Sequence, residues 1–280
     1  MMEIGRFNRL KVLKTVDFGV YLNGKELGEI LLPKRYISTP LNEGDEVDAF
    51  IYTDSEDRLV ATTQKPMAQE GDFAALQVVA LTKVGAFMDW GLPKDLFIPF
   101  AEQQTAMQEG ETHVVYVTID PSSNRLYGSS RLDNFTYKAD ETCENGQEVH
   151  ALVVKSTDLG FKCIVNNMFQ GMLFANEVFR PLKTGDRLDC FIKAVREDGK
   201  LDLSLHPQGY TRIDPIAETL LREMRKRNGF LPLHDKSAPE EVYAILGISK
   251  KAFKQAVGNL YKQKIIALED KGIRLLRKGT

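Results

Sequence analysis

A chain of 280 residues is longer than one ordinary core needs, and its 43% hydrophobic and 27% charged content is that of a folded protein rather than a disordered one. No run of 18 or more apolar residues occurs, which excludes a membrane-spanning helix. The net charge of −2 hides a split: residues 67–141 carry 5 basic and 11 acidic side chains, whereas residues 211–280 carry 15 and 8.

In chain order, residues 7–16, 19–22, 29–33, 46–53 and 59–63 read as five short strands, the last two joined by the polar turn Asp54-Ser55-Glu56-Asp57. The same frame then recurs. Phe18-Gly19-Val20-Tyr21-Leu22, Val84-Gly85-Ala86-Phe87-Met88-Asp89-Trp90 and Leu159-Gly160-Phe161-Lys162-Cys163 each hold a glycine among apolar and aromatic neighbours. Gly5, Gly71 and Gly146 lie 14 residues before that glycine, and Pro33, Pro99 and Phe174 lie 14 after it. Eleven residues further on come Gly44-Asp45, Gly110-Glu111 and Gly185-Asp186. Four landmarks repeated without a slip define three copies, over residues 1–66, 67–141 and 142–210.

Turn residues at 120–124 and 197–199 close the last hairpin of the second and third copies. Five strands in so short a unit are expected to close as a Greek-key barrel, because closure removes exposed edges. The strand glycine is expected at a bulge or bend. Alternation sends Val20 and Leu22, or Ala86 and Met88, inward, and Tyr21 or Phe87 outward. An outward aromatic either packs under a neighbouring loop or repeat, or offers a stacking platform to unpaired bases.

After residues 207–209 the apolar period changes from two to 3.6. Ile213, Ile216, Leu220, Leu221 and Met224 mark a helix with Asp214 as N-cap and Pro215 in its first turn, stopped by Asn228-Gly229. Residues 230–234 read as a loop, and a second helix starts at Ser237 or Pro239 and ends at Gly247. Ser249 caps a third helix over 250–264, with an apolar stripe of Phe253, Val257, Leu260 and Tyr261, and residues 265–276 form a hairpin. Three helices and a hairpin make a winged helix over 211–280. Opposite the stripe, Lys250, Lys254 and Lys262 recur at helical spacing, with Lys251, Gln255 and Asn259 beside them. Such a face can hold phosphates and read base edges, or serve as a solvated surface for a protein partner.

The three copies resemble S1 domains, the OB-fold module of ribosomal protein S1 and several ribonucleases. The second copy carries the likeness best, through residues 84–90 followed by Leu96-Phe97-Ile98-Pro99-Phe100-Ala101-Glu102. The resemblance implies that aromatics of the second strand, a third-strand residue (often His) and basic groups on the last strands hold single-stranded RNA. Carried over, Phe18 and Tyr21 match both aromatics in the first copy, and Phe87 matches one in the second. Val84 and Leu159 replace the first aromatic, and Lys162 replaces the second. Pro33, Pro99 and Phe174 stand where the His is common. Arg131 matches a last-strand basic position, held by Gln64 and His206 in the other copies. Lys34 and Arg35 flank the first face, and Phe161, Lys162 and Phe174 form the third. The first and third copies are therefore the expected RNA contacts, and the acidic second copy a spacer or docking module. The whole layout, mainly β with an α+β tail (three S1-like OB-fold barrels, then a winged helix), resembles the bacterial conserved virulence factor B family. That likeness implies an RNA-binding post-transcriptional regulator without catalysis.

No Gly-rich phosphate loop, nucleophile elbow or His pair at helical spacing occurs, so a binder rather than an enzyme is expected, with no cofactor. Cys143, Cys163 and Cys190 are far apart, as are His113, His150, His206 and His234. They read as reduced thiols and ordinary rim histidines without a metal site. Residues 1–6 lack the apolar core of a signal peptide, so a cytoplasmic location is expected. The expected partner is single-stranded RNA. The alternatives are duplex DNA read by the third helix, or a protein-interaction scaffold.

Overall fold

The structure is a computed structural model that describes residues 2–178, 180–207 and 215–276. Alternating apolar residues fold the first copy into β1 (Phe7–Val16), β2 (Gly19–Asn23), β3 (Glu29–Pro33), β4 (Glu46–Thr53) and β5 (Leu59–Thr62). The second copy forms β6 (Phe73–Leu81), β7 (Gly85–Asp89), β8 (Leu96–Pro99), β9 (Thr112–Ile119) and β10 (Leu126–Ser129). The third forms β11 (Glu148–Thr157), β12 (Gly160–Val165), β13 (Phe169–Phe174), β14 (Arg187–Val195) and β15 (Leu201–Ser204). Each set closes as a five-stranded barrel in which the third and fifth strands pair in parallel. The expected Greek-key closure is borne out three times.

The recurring landmarks have distinct causes. The glycine opening β2, β7 and β12 serves a close approach rather than a bulge of its own. A Cβ on Gly19 would lie 2.2 Å from the Leu32 carbonyl oxygen, and one on Gly85 or Gly160 2.3 Å from that of Ile98 or Leu173. The bulges sit on the facing strand, between Val12 and Lys14, Val78 and Ala80, and Val153 and Lys155. The later glycine–acid pair seals each bulge. Gly44 N–H donates to Val12 O (3.0 Å) and Val12 N–H to Asp45 O (2.8 Å), an exchange repeated by Gly110-Glu111 with Val78 and by Gly185-Asp186 with Val153. Those three glycines have φ of 95°, 84° and 94°, a left-handed conformation that a Cβ disfavours.

Leu10, Val12, Leu22, Ile30, Leu32 and Ile51 fill the first barrel, and Val153, Cys163, Leu173, Cys190, Ile192 and Leu203 the third. Shared cores join the barrels. Phe50, Tyr52 and Val60 of the first pack into the second barrel's core beside Trp90, whose ring lies 5.8 Å from Phe50 and whose Nε1–H donates to Lys94 O at 2.7 Å. Between the second and third barrels, Phe73, Val114, Leu132, Leu152 and Ile164 are buried together, and Tyr116 stacks on Phe135 at 4.3 Å. The barrels are thus joined through buried apolar contacts.

The tail forms a separate unit. It contains α1 (Pro215–Lys226), β16 (Phe230–Leu231), α2 (Pro239–Leu246), α3 (Lys250–Lys262), β17 (Ile266–Glu269) and β18 (Gly272–Leu275). The sheet order is β16-β18-β17, and the helices close over it through Leu220, Met224, Val242, Phe253 and Leu260. Residues 230–231 are a strand, not the expected loop: Gly229 (φ 82°) turns the chain out of α1 so that Phe230 and Leu231 pair with Arg274 and Ile273. Ser249 Oγ accepts from Ala252 N–H at 3.2 Å and caps α3 as expected. The helix ends at Lys262 rather than residue 264, because Lys264 adopts φ 55°. The proposed cap Asp214, Ile213 and the 210/211 boundary lie outside the described residues. No helix among the described residues is long and apolar enough to cross a membrane.

Candidate nucleic-acid interface

Strand register fixes which side chains share a row across the second, third and fifth strands of each barrel. In the first barrel Tyr21 is opposite Leu31, and Leu31 is opposite Val60. In the third, Lys162 is opposite Met172, and Met172 is opposite Asp202. In the second, Phe87 is opposite Phe97, and Phe97 is opposite Tyr127, so the row is aromatic throughout. The Phe87 and Phe97 rings lie 5.2 Å apart at 40°, and all three rings are partly buried along a groove of about 820 Å³. Val60 ends the first row inside the shared core, so the corresponding stretch of the first barrel is covered by the second.

Charge around the groove is nearly balanced. Burial, then Glu102 and Asp120, raises the Tyr127 phenol above its ordinary value and keeps it a neutral hydroxyl. The Ser122 hydroxyl and N–H, with the Ser123 N–H, hold Asp120 below the ordinary carboxylate value, so it stays ionised. Asp57 reaches the rim from the turn between β4 and β5 and pairs with Arg125 and Lys94.

The first barrel carries a smaller aromatic patch. Phe18 is 58% exposed and meets Tyr21 edge-on at 6.4 Å, and Lys14 Nζ lies 4.7 Å from the Tyr21 ring centroid while pairing with Glu29. Lys34 and Arg35 are exposed, the latter 4.7 Å over the Tyr36 ring. In the third barrel Lys162 is exposed directly opposite Lys155, and neither has an ion-pair partner among the described residues. Like charges facing each other across strands are destabilising unless an anion separates them. Phe174 is half-buried beside Gly160. Phe161 departs from the expected surface role: it is opposite the fully buried Leu173 and leans on the third barrel's core. Arg131 is exposed, with Nε–H donating to Ala101 O at 2.6 Å.

On α3, Lys251, Lys254, Gln255, Asn259 and Lys262 are exposed, and the helix holds no acidic residue. Lys250 is half-buried in the first turn and contributes less to that face. Tyr261, expected in the apolar stripe, is 53% exposed, and Ala256 is the buried residue there. Phe97 and Tyr127 were not picked out from the amino-acid order. Phe97 had a signal, since alternation around the buried Leu96 and Ile98 turns it outward. Tyr127 had none, because only the parallel pairing of β8 with β10 brings it into the row.

Comparison with known proteins is consistent with this architecture. Residues 4–64 match a family model for the S1 domain, and residues 218–275 match one for the CvfB-like winged helix domain. The chain is 28% identical to conserved virulence factor B of Staphylococcus aureus strain USA300 over 85% of its length and 82% of that protein. It is 28% identical to the protein YitL of Bacillus subtilis strain 168, over 93% of this chain and 90% of that one. A solved Streptococcus pneumoniae structure, described as a multidomain protein with nucleic acid binding domains, is 25% identical with a TM-score of 0.46, covering 98% of both chains.

Proposed function

We propose that this chain, a relative of the conserved virulence factor B proteins, binds single-stranded RNA across its barrels and acts as a regulator of RNA rather than as a catalyst. The observation that carries this reading is the row Phe87, Phe97 and Tyr127, rings from three neighbouring strands turned toward one groove. Flat rings accept any base by stacking, but only a base already out of a duplex can reach them. Exposed cationic side chains at Lys34 and Arg35 in the first barrel and at Lys155 and Lys162 in the third offer charge for phosphates. The S1-domain match over the first barrel supports the same ligand class.

The lysine face of α3, free of carboxylates, favours a second reading in which duplex DNA is the ligand. Fluorescence polarisation of the full chain with labelled single-stranded RNA, single-stranded DNA and duplex DNA of matched sequence separates the two. Single-stranded RNA is expected to bind tightest. A preference for the duplex would replace the RNA reading with one led by α3, and binding to none of the three would leave a protein scaffold.

A further inference from the structure

The aromatic groove of the second barrel is built by two barrels. Its floor is the row of three rings, but part of its rim is the β4–β5 turn of the first barrel, which brings Ser55 and Asp57 to the edge. Two cations line the groove among the described residues, Lys94 and Arg125, and both point at Asp57. Arg125 Nη2–H donates to Asp57 Oδ2, and Lys94 Nζ lies 3.5 Å from Asp57 Oδ1. Lys94 is committed further to the first barrel, donating to Asp54 O at 2.7 Å and to Thr53 Oγ1 at 3.2 Å. The remaining rim charges, Glu102 and Asp120, repel phosphate.

From this we infer that Asp57 is a specificity-determining residue, which occupies Arg125 and Lys94 so that the groove takes bases by their rings and discriminates against phosphate. The inference rests on the groove being an RNA site, as proposed above. It gives a physical account of an aromatic slot on the acidic copy, with 5 basic and 11 acidic side chains, whereas the first and third barrels expose cations at Lys34, Arg35, Lys155 and Lys162. A strand whose bases lie over Phe87, Phe97 and Tyr127 carries its phosphates past the rim. There a phosphate must displace the Asp57 carboxylate before it gains Arg125. Binding in the groove therefore releases few counterions and responds weakly to salt.

Asp57→Asn is the informative change. Asp57 has φ 62°, a left-handed turn position that asparagine also accepts, so the loop keeps its path while the charge is lost. In the full chain, affinity for single-stranded RNA is measured by fluorescence polarisation across a salt series, with thermal unfolding followed in parallel. D57N is expected to bind about three- to tenfold tighter at low salt and to steepen the slope of log K against log salt by about 0.7, the increment for one more neutralised phosphate. D57N combined with Arg125→Gln is expected to return to the parent slope. Unchanged or weaker binding by a D57N chain that unfolds like the parent overturns the inference, as does a double variant that keeps the gain. Phe97→Ala, run alongside, separates the two possible failures. Loss of affinity in F97A with no change in D57N overturns the role of Asp57 alone. No loss in F97A overturns the groove as the RNA site, and this inference with it.

Discussion

Truncating Phe97 to alanine removes the middle ring of the row and tests the proposed ligand surface most directly. The side chain is largely buried, so its loss withdraws most of a buried phenyl, on the order of 2 kcal/mol of folding stability. That is too little to unfold a barrel filled independently by Leu76, Val78, Met88, Leu96 and Ile98. The effect on binding is comparable. One stacking platform disappears, worth about 1–3 kcal/mol, and the Phe87 ring loses the neighbour 5.2 Å away that holds its orientation. A central value of about 2 kcal/mol corresponds to a rise in Kd of about 30-fold. The assay is a fluorescence polarisation titration with labelled single-stranded RNA at fixed ionic strength, with circular dichroism melting as the folding control. Phe97→Tyr keeps the platform and is expected to bind like the parent. A folded F97A chain whose Kd stays within about twofold of the parent would refute the stacking argument.

Three further outcomes are expected. Reversing charge at Lys251 and Lys254 is expected to flatten the salt dependence of RNA binding by about 0.7 for each phosphate no longer neutralised, and a slope that does not move would assign the α3 face to a protein partner. Gly85→Ala places a Cβ 2.3 Å from the Ile98 carbonyl oxygen, so a loss of roughly 2 kcal/mol or more in urea denaturation is expected, and a neutral result would contradict the close-approach account of the repeat glycine. Burial, helped by Cys190 in one case and Asp189 in the other, pushes the Cys163 and Cys190 thiols from 9.0 up to about 12. A folded value above the unfolded one means that their contribution is complete below pH 9.0 and lost as pH rises toward about 12. Denaturation midpoints should fall over that window, and at neutral pH the half-exposed Cys143 should be alkylated well before either.

Particular residues mark where local reasoning succeeded and where it stopped. The strand at Gly19–Asn23 and its partner at Glu29–Pro33 follow from alternation and a short connection, and the fixed 14-residue spacing reappears as the direct pairing of Gly19 with Pro33, Gly85 with Pro99 and Gly160 with Phe174. The tail was equally legible, because Ser249 and Gly247 mark helix ends through their own backbone chemistry. Phe161 directly follows the repeat glycine, as Val20 and Ala86 do, so the alternation of the repeat already turns it inward, and its pairing with Leu173 shows the same side; its being aromatic is what suggested a surface role. Phe230 was misjudged because a two-residue strand exists only by virtue of β18, far along the chain.

The order of residues alone determined three barrels followed by a winged helix, since turns, caps and alternation act over a few neighbouring positions. Folding in three dimensions decided which rings form a row and which charges cancel. Tyr127 reaches Phe97 by a parallel pairing that skips β9, and Arg125 reaches Asp57 from another barrel, 68 residues away. Such meetings are set by how closed cores pack against one another, and no short stretch of chain encodes them.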